Sequence, residues 1–133
     1  MPGGVDHVMI NCPNFAASIE FYAWLMPKIG YPGRHDIDPP ARATGFYGQF
    51  GSFWVQPPEP SMSQQFSKAR TGLREIAFRV VGRSTVDLIA PEIEAHGGKI
   101  IDPPREYDYR PGYYAVFFTD PSGIKLELVH YLD

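Results

Sequence analysis

The strongest fold signal in the chain is the stretch PGYYAVFFTDPSGIKLELVH, residues 111–130. Within and just beyond it, residues 113–119 and 124–131 are largely apolar and alternate in the way that is typical of β-strands. The four residues between them, Asp-Pro-Ser-Gly, favour a tight turn. The stretch therefore predicts a hairpin whose second strand points its leucines to one side and Glu127 to the other.

Two further stretches alternate in the same way. Residues 5–12 predict a strand that has His7 and Met9 on one face and apolar side chains on the other. Residues 73–81 predict a strand whose apolar face is opposite to Glu75. Each of these strands therefore combines one face suited to a core with one face that carries a potential ligand.

A helix is predicted after each of these two strands. Residues 15–26 carry a stripe of apolar side chains at helical spacing, and Pro27 is expected to end the helix. A capping box at Ser84 predicts a second helix that ends near His96. Pro91 inside that segment is expected to kink or shorten it.

Shorter strands complete each half of the chain. Residues 44–50 and 52–56 predict two strands that meet near Gly51. Residues 99–102 predict a strand that ends at Pro103. Strand, helix and further strands thus occur twice in the same order.

This repeat predicts an α+β fold built from two similar modules. An offset of 68 residues, 75 minus 7, places His7 on Glu75. One helix on a small sheet buries too little apolar surface alone, so two such modules are expected to fold together. The prediction is one domain, residues 1–133, made of module one, about 4–57, a linker, about 58–72, and module two, about 73–133.

Composition and charge exclude several classes of partner. The chain of 133 residues has a net charge of −3 and shows no basic stripe that would bind nucleic acid. No apolar run approaches the roughly 20 residues that span a bilayer, and the N-terminus lacks a signal-peptide pattern. Cys12 is the only cysteine, so no intrachain disulfide can form. We therefore expect a cytoplasmic protein with no nucleic-acid or membrane partner, and the predicted pocket described below makes a small molecule the expected partner.

Three side chains on the faces opposite to the apolar ones are candidates for a metal site. If the two sheets curve around one cleft, His7, Glu75 and Glu127 converge, and one imidazole with two carboxylates is typical of a divalent-cation site. The alternative is that the two glutamates lie on a solvated strand face, which is normally polar, and that His7 is a hydrogen-bonded surface residue.

Three stretches of the chain resemble the glyoxalase/bleomycin-resistance/dioxygenase superfamily, also called the vicinal oxygen chelate superfamily. Residues 5–10, followed by Phe21 and Tyr22, resemble the opening of its first module, and residues 75–80 resemble the start of its second. Residues 111–130 are similar to its final hairpin. The resemblance implies two βαβββ modules that form an open, cupped mixed sheet around a metal cleft, and it implies a homodimer.

The resemblance also implies which residues bind the metal. By position, the ligands are His7, Glu75 and Glu127, and the ion is a divalent metal such as Zn, Ni, Mn or Fe. Many members carry His where this chain has Glu75, and two carboxylates with one imidazole differ from the two-His-one-carboxylate triad of iron oxygenases. Aligning Gly51 with Gly123 puts Val55, which cannot coordinate, at the position of a fourth ligand. Three protein ligands are therefore expected.

Strand parity and the resemblance together predict the lining of a substrate pocket. Trp54 matches a pocket position in fosfomycin-resistance proteins, and aromatic walls with one or two fixed charges suit a small organic ligand. The residues predicted to bind substrate are Met9, Trp54, Arg79, Arg110, Tyr113 and Phe117.

Three function hypotheses follow from these observations. The first is a metal-dependent enzyme of the lyase, isomerase or thiol-addition class, in which the metal acts as a Lewis acid and Glu127 and Glu75 are catalytic. The second is a metal-free binding protein that sequesters an antibiotic-type molecule, and an extradiol-type dioxygenase is a further alternative. The third is a structural or regulatory module.

Overall fold

The computed structural model describes residues 3–62 and 65–132 of the chain. The parts of the predicted domain and linker at residues 1–2, 63–64 and 133 lie outside the described residues. None of the helices within the described ranges is long and apolar enough to cross a bilayer.

The chain forms two compact units. One unit lies within residues 1–64 and the other within residues 65–133. The boundary between them falls inside the segment that the sequence predicts as a linker.

The first unit has one strand, one helix and three further strands. In chain order these are β1 (His7–Asn11), α1 (Phe15–Lys28), β2 (Gly33–Ile37), β3 (Ala43–Gly48) and β4 (Gly51–Gln56). The sheet has the order β1-β4-β3-β2, with β1 parallel to β4 and the other pairs antiparallel. A parallel pair requires a crossover connection, which α1, β2 and β3 supply here.

Helix α1 covers one face of this sheet. Its side chains Phe21, Tyr22 and Leu25 are fully buried, and the Tyr22 ring lies 4.9 Å from the Phe53 ring of β4. The helix continues past Pro27 to Lys28, so the predicted end at Pro27 is wrong. The Met26 carbonyl accepts hydrogen bonds from the N–H groups of two residues beyond the proline, and these bonds close the helix without the missing proline donor.

The second unit repeats the order of the first. Its elements are β5 (Ile76–Arg79), α2 (Arg83–Ile89), two short 3₁₀ turns (Ala90–Glu92 and Glu94–His96), β6 (Lys99–Glu106), β7 (Tyr114–Thr119) and β8 (Lys125–His130). The sheet has the order β5-β8-β7-β6, with β5 parallel to β8 and the other pairs antiparallel. The predicted α+β class and the two βαβββ modules are confirmed.

The second helix differs from its prediction at both ends. Gly82, with φ of 80°, is the N-cap, so the capping box predicted at Ser84 is wrong. The α-helix ends at Ile89 because Pro91 lacks the N–H that would continue the bonding pattern, and the segment proceeds as 3₁₀ turns. Gly97, with φ of 100°, ends it as expected for a glycine at this position.

Strand β6 is longer than predicted. It continues through Pro103 and Pro104 to Glu106, although the first proline was expected to end it. β6 is the outer strand of its sheet, where a missing N–H is tolerated. Its register with β7 shifts twice, between Ile100 and Asp102 and again before Arg105, so the prolines lie in a bulged segment.

The first sheet carries an aromatic platform on the face opposite to α1. The Trp54 indole lies directly over Gly45, where a Cβ would come within 2.7 Å of three ring carbons. Tyr47 and His35 approach the same ring edge-on, with centroids 5.6 and 6.3 Å away, and the indole Nε1 donates to the Ser52 hydroxyl at 3.0 Å. Gly45 is therefore required for space rather than for a special backbone conformation.

We expect Gly45→Ala to destabilise the first unit because the added methyl group must displace the Trp54 ring. Overpacking of this kind costs about 1–3 kcal/mol in the free energy of unfolding. Urea denaturation followed by tryptophan fluorescence measures the loss. Gly4→Ala is the matched control, since nothing lies within 4 Å of its Cβ. Equal stability of the two variants would contradict the close packing of Trp54 on Gly45.

Candidate functional site

Strand β8 carries two charged residues on the face of the sheet opposite to the helix. Leu126 and Leu128 are fully buried, whereas Lys125 and Glu127 point to the other face of the sheet. Glu127 pairs with Ala77 of β5 on one side and with Phe117 of β7 on the other. Lys125 and Glu127 are therefore held by a strand at the centre of a sheet and not by a loop.

A cavity of about 640 Å³, which we call the carboxylate hollow, opens on this face of the second unit. It is lined by three basic residues, three acidic residues, four aromatic rings and one alanine: Arg74, Arg105, Lys125, Glu75, Asp102, Glu127, Tyr107, Tyr109, Tyr113, Phe117 and Ala77. Its volume and its mixture of aromatic walls with fixed charges suit a small organic ligand.

Glu127 is the most deeply buried charged side chain of the hollow. Its residue is only 4% exposed, and its Oε1 accepts a hydrogen bond from the Tyr113 hydroxyl. Glu75 lies beside it, and the Lys125 ammonium is 3.7 Å from Glu75 Oε1. Two carboxylates, one ammonium and one phenol therefore form a connected polar cluster.

Burial is the largest cause of the pKa shifts in this cluster. It raises the pKa of Glu127, and the neighbouring Glu75 carboxylate raises it further, while the Tyr113 hydrogen bond and the Lys125 ammonium act in the opposite direction. Burial and the hydrogen bond to Glu127 also raise the pKa of Tyr113 well above its ordinary value. Tyr113 therefore stays protonated and donates its hydrogen bond, while burial favours the protonated form of Glu127.

Aromatic rings form one wall of the hollow. Tyr107 and Tyr109 stack with centroids 5.3 Å apart, and the Arg105 guanidinium lies 3.9 Å from the Tyr107 ring centre. The Tyr107 hydroxyl is buried without a hydrogen-bond partner among the described residues. Burial raises the pKa of this tyrosine as well, against the effect of Arg105.

Two predicted substrate-binding residues lie outside the carboxylate hollow. The guanidinium groups of Arg79 and Arg110 each lie 3.9 Å from the ring centre of Tyr131, and Arg79 also donates to the Tyr131 carbonyl at 3.2 Å. Neither arginine is among the described residues that line the hollow. Tyr113 and Phe117, by contrast, do line it.

The remaining predicted residues belong to the first unit. His7 is exposed, and its Nδ1 lies 2.8 Å from the Asp6 carboxylate. Met9, 49% exposed, is on the same strand face, and it pairs with Trp54 of β4. Within either unit, the described residues include no group of three His, Cys, Asp or Glu side chains placed to hold a metal. The ligand set of His7, Glu75 and Glu127 therefore stays a prediction.

The strand registers identify the counterpart of Glu127 in the first unit. Met9 pairs with Trp54, and Ala77, 68 residues after Met9, pairs with Glu127. Trp54 therefore occupies the equivalent place, and the alignment that put Val55 there is wrong by one residue. Val55 is fully buried on the helix side of the sheet, as the parity of the strand requires. A tryptophan cannot coordinate a metal either.

Sequence reasoning missed several residues of the hollow. Lys125 shares a strand face with Glu127 two residues later, so the alternation of β8 was sufficient to find it. Asp102 and Arg105 carried no such signal, because the two bulges in β6 change which side chains face the hollow.

Comparison with protein families identifies the fold. The model of the Glyoxalase/Bleomycin resistance protein/Dioxygenase superfamily matches residues 32–128, or 97 of the 133 residues. The chain belongs to this superfamily. Among curated proteins of similar sequence, the uncharacterized protein YqjT of Bacillus subtilis (strain 168) is 28% identical over 129 residues. That match spans 94% of this chain and 97% of YqjT.

Solved structures agree with the superfamily assignment. A crystal structure from Bacillus halodurans, provisionally named a glyoxalase, is 29% identical, with a TM-score of 0.75 and 96% of each chain covered. Lactoylglutathione lyase from Agrobacterium tumefaciens has a TM-score of 0.68 at 17% identity, covering 98% of this chain and 95% of its own. At that identity the likeness extends to the superfamily fold and no further.

We expect Tyr113→Phe to destabilise this superfamily member by removing the donor that holds the buried Glu127 carboxylate. Hydrogen bonds to charged groups contribute about 1.5–3 kcal/mol to the free energy of unfolding. The bond lowers the pKa of Glu127, so its loss weakens the ionised form. The destabilisation should therefore be larger at pH 8 than at pH 4, measured by urea denaturation in the presence of a chelator.

Tyr114→Phe, at the next residue and the first of β7, is the matched control. The Tyr114 hydroxyl donates to Asp87 at 2.6 Å, but this pair is exposed, so its removal should cost less than about 1 kcal/mol. Equal losses for the two variants at pH 8 would show that burial does not strengthen the Tyr113–Glu127 bond.

Proposed function

We propose that the chain is a glyoxalase-like enzyme that acts on a small organic metabolite or xenobiotic, with lyase, isomerase or thiol-addition chemistry. The observation that carries the proposal is the buried Glu127 carboxyl, whose pKa is raised, at the wall of a cavity of about 640 Å³. A perturbed titratable group in a ligand-sized cavity is a common feature of catalytic sites.

Glu127 is the proposed proton acceptor, and where a metal is bound it would act once displaced from that metal. A general base works best when its pKa lies near the operating pH, and burial moves Glu127 in that direction. The Tyr113 hydroxyl binds Oε1 and fixes the orientation of the carboxylate. The rings of Phe117 and Tyr107, with centroids 5.4 Å apart, would shield one side of a bound ligand from water, and exclusion of water strengthens the electrostatic interactions between Glu127 and the ligand.

The chemistry of the donor set fits a divalent cation. The Glu75 carboxylate lies close enough to oppose the ionisation of Glu127, and a shared cation would relieve that repulsion. Carboxylate oxygens suit hard or borderline ions such as Mn²⁺ and Zn²⁺. A metal-bound histidine commonly donates its second nitrogen to a carboxylate, and Asp6 would be that partner for His7, whose ligand role stays a prediction from the sequence. A bound ion would polarise a carbonyl, enolate or epoxide oxygen of the substrate.

A metal-free binding protein of the antibiotic-sequestering type is the second candidate. The Lys125–Glu75 ion pair favours it, because an ammonium group already neutralises part of the carboxylate charge. The four aromatic rings of the hollow would stack on a planar ligand without any chemistry. In either case, a cytoplasmic location and a homodimer remain predictions from the sequence.

We expect Mn²⁺, Ni²⁺ or Zn²⁺ to raise the melting temperature of protein purified without chelator, and Glu127→Gln to abolish the shift. A ligand that binds only the folded state at 100 times its dissociation constant stabilises it by about 2.7 kcal/mol. Glu92→Gln, in an exposed turn after α2, removes the same charge outside the hollow and should keep the shift. Stabilisation of the wild type by aromatic compounds, with no response to metal or chelator, would favour the sequestering function.

We also expect Glu127→Gln to lower kcat by about 100-fold or more, since a positioned general base contributes 10²–10⁴-fold. The assay is a screen of hemithioacetals, epoxides with thiols, and 2-oxo or enolisable acids, repeated with the variant on any substrate that reacts. An active wild type whose kcat is unchanged by Glu127→Gln would remove this residue from the mechanism.

A further inference from the structure

Lys125 has no role in the proton transfer described above, yet its ammonium points into the carboxylate hollow. Its side chain is only 18% exposed, and it lies 3.7 Å from Glu75 Oε1 and 5.1 Å from the centre of the Phe117 ring. A lysine held in this way loses much of its hydration, so a nearby carboxylate is needed to stabilise its charge.

The sheet fixes Lys125 in this position. Ile76 pairs with Leu126 in the parallel ladder between β5 and β8, so the residues that precede them, Glu75 and Lys125, are neighbours across the same two strands. Glu127 follows two residues later on the same face of β8. One cation therefore faces two acidic side chains, and it lowers the pKa of Glu127 in addition to pairing with Glu75.

We propose that Lys125 is a built-in counter-ion that competes with a divalent metal for the two carboxylates. Without metal, the ammonium neutralises Glu75. A divalent cation that binds Glu75 and Glu127 must displace the ammonium from Glu75, since a positive charge about 4 Å away repels it strongly in a partly desolvated site. Lys125 therefore sets the metal affinity of the site. This inference rests on the proposed metal-binding function.

The test compares the Mn²⁺ affinity of the wild type with that of Lys125→Met, which removes the charge but keeps an unbranched apolar side chain against Phe117. Free Mn²⁺ is measured by electron paramagnetic resonance during titration. We expect the variant to bind Mn²⁺ at least about tenfold more tightly, because the competing charge is absent. Lys99→Met, an exposed lysine at the start of β6, should leave the affinity unchanged.

A second pair of variants assigns the effect to Glu75. In a Glu75→Gln background the ammonium has lost its partner and the metal has lost a ligand, so Lys125→Met should change the affinity much less than in the wild type. Lys125→Arg keeps the charge and should retain the weak affinity of the wild type.

A measurement on the wild type covers the case in which Lys125→Met does not fold. Acetic anhydride labelling followed by mass spectrometry reports the reactivity of Lys125 relative to Lys99. Mn²⁺ should increase the labelling of Lys125, since the displaced amine is freed from its carboxylate. An unchanged ratio would overturn the proposal.

The outcomes separate this inference from the proposed function. If the wild type binds metal and Lys125→Met binds it equally or more weakly, the counter-ion role is refuted. The proposed metal-dependent function is not affected by that result. Failure of both proteins to bind Mn²⁺, Ni²⁺ or Zn²⁺ would refute the metal function and the counter-ion role together.

Discussion

The alternation of side chains along β8 is the constraint on which the second unit depends. Leu126 and Leu128 are fully buried on the helix side of the sheet. The residue that follows each of them points to the opposite face. Because β8 lies between β5 and β7, it cannot slip by one residue without exposing both leucines and burying Lys125 and Glu127 in the core. The hydrophobic core thus determines which face of the sheet carries Glu127, and burial raises the pKa of this carboxyl group.

The two units use the same strand order for different chemistry. Equivalent positions in the two ladders carry Trp54 and Glu127, and the residues two positions before them are Ser52 and Lys125. The first unit therefore presents an indole packed on Gly45, while the second presents a cluster of charged groups. The same strand order can therefore carry either an aromatic surface or a polar cluster, since only the side chains on the face opposite to the helix need to differ.

The sequence was sufficient for the class of the fold and for the polar face of each long strand. Period-two alternation and the repeat predicted which side of β1 and β8 carries His7 and Glu127, because these strands are regular. It was insufficient where the backbone departs from that regularity. The bulges of β6 brought Asp102 and Arg105 to the hollow, and β2 was not predicted from its pattern because nearly all of this outer strand is polar and exposed. The ion pair of Lys125 with Glu75 depends on the register between strands 50 residues apart, which no local pattern contains.

The two prolines of β6 have a consequence for association. An outer strand normally offers a row of N–H and C=O groups to which another chain can add, and this is a common route to aggregation. Pro103 and Pro104 have no N–H groups to donate, and they lie in a bulged segment where the regular spacing of the outer edge is interrupted. This edge of the second sheet is therefore a poor template for strand addition, and β6 disfavours pairing with a strand of another molecule.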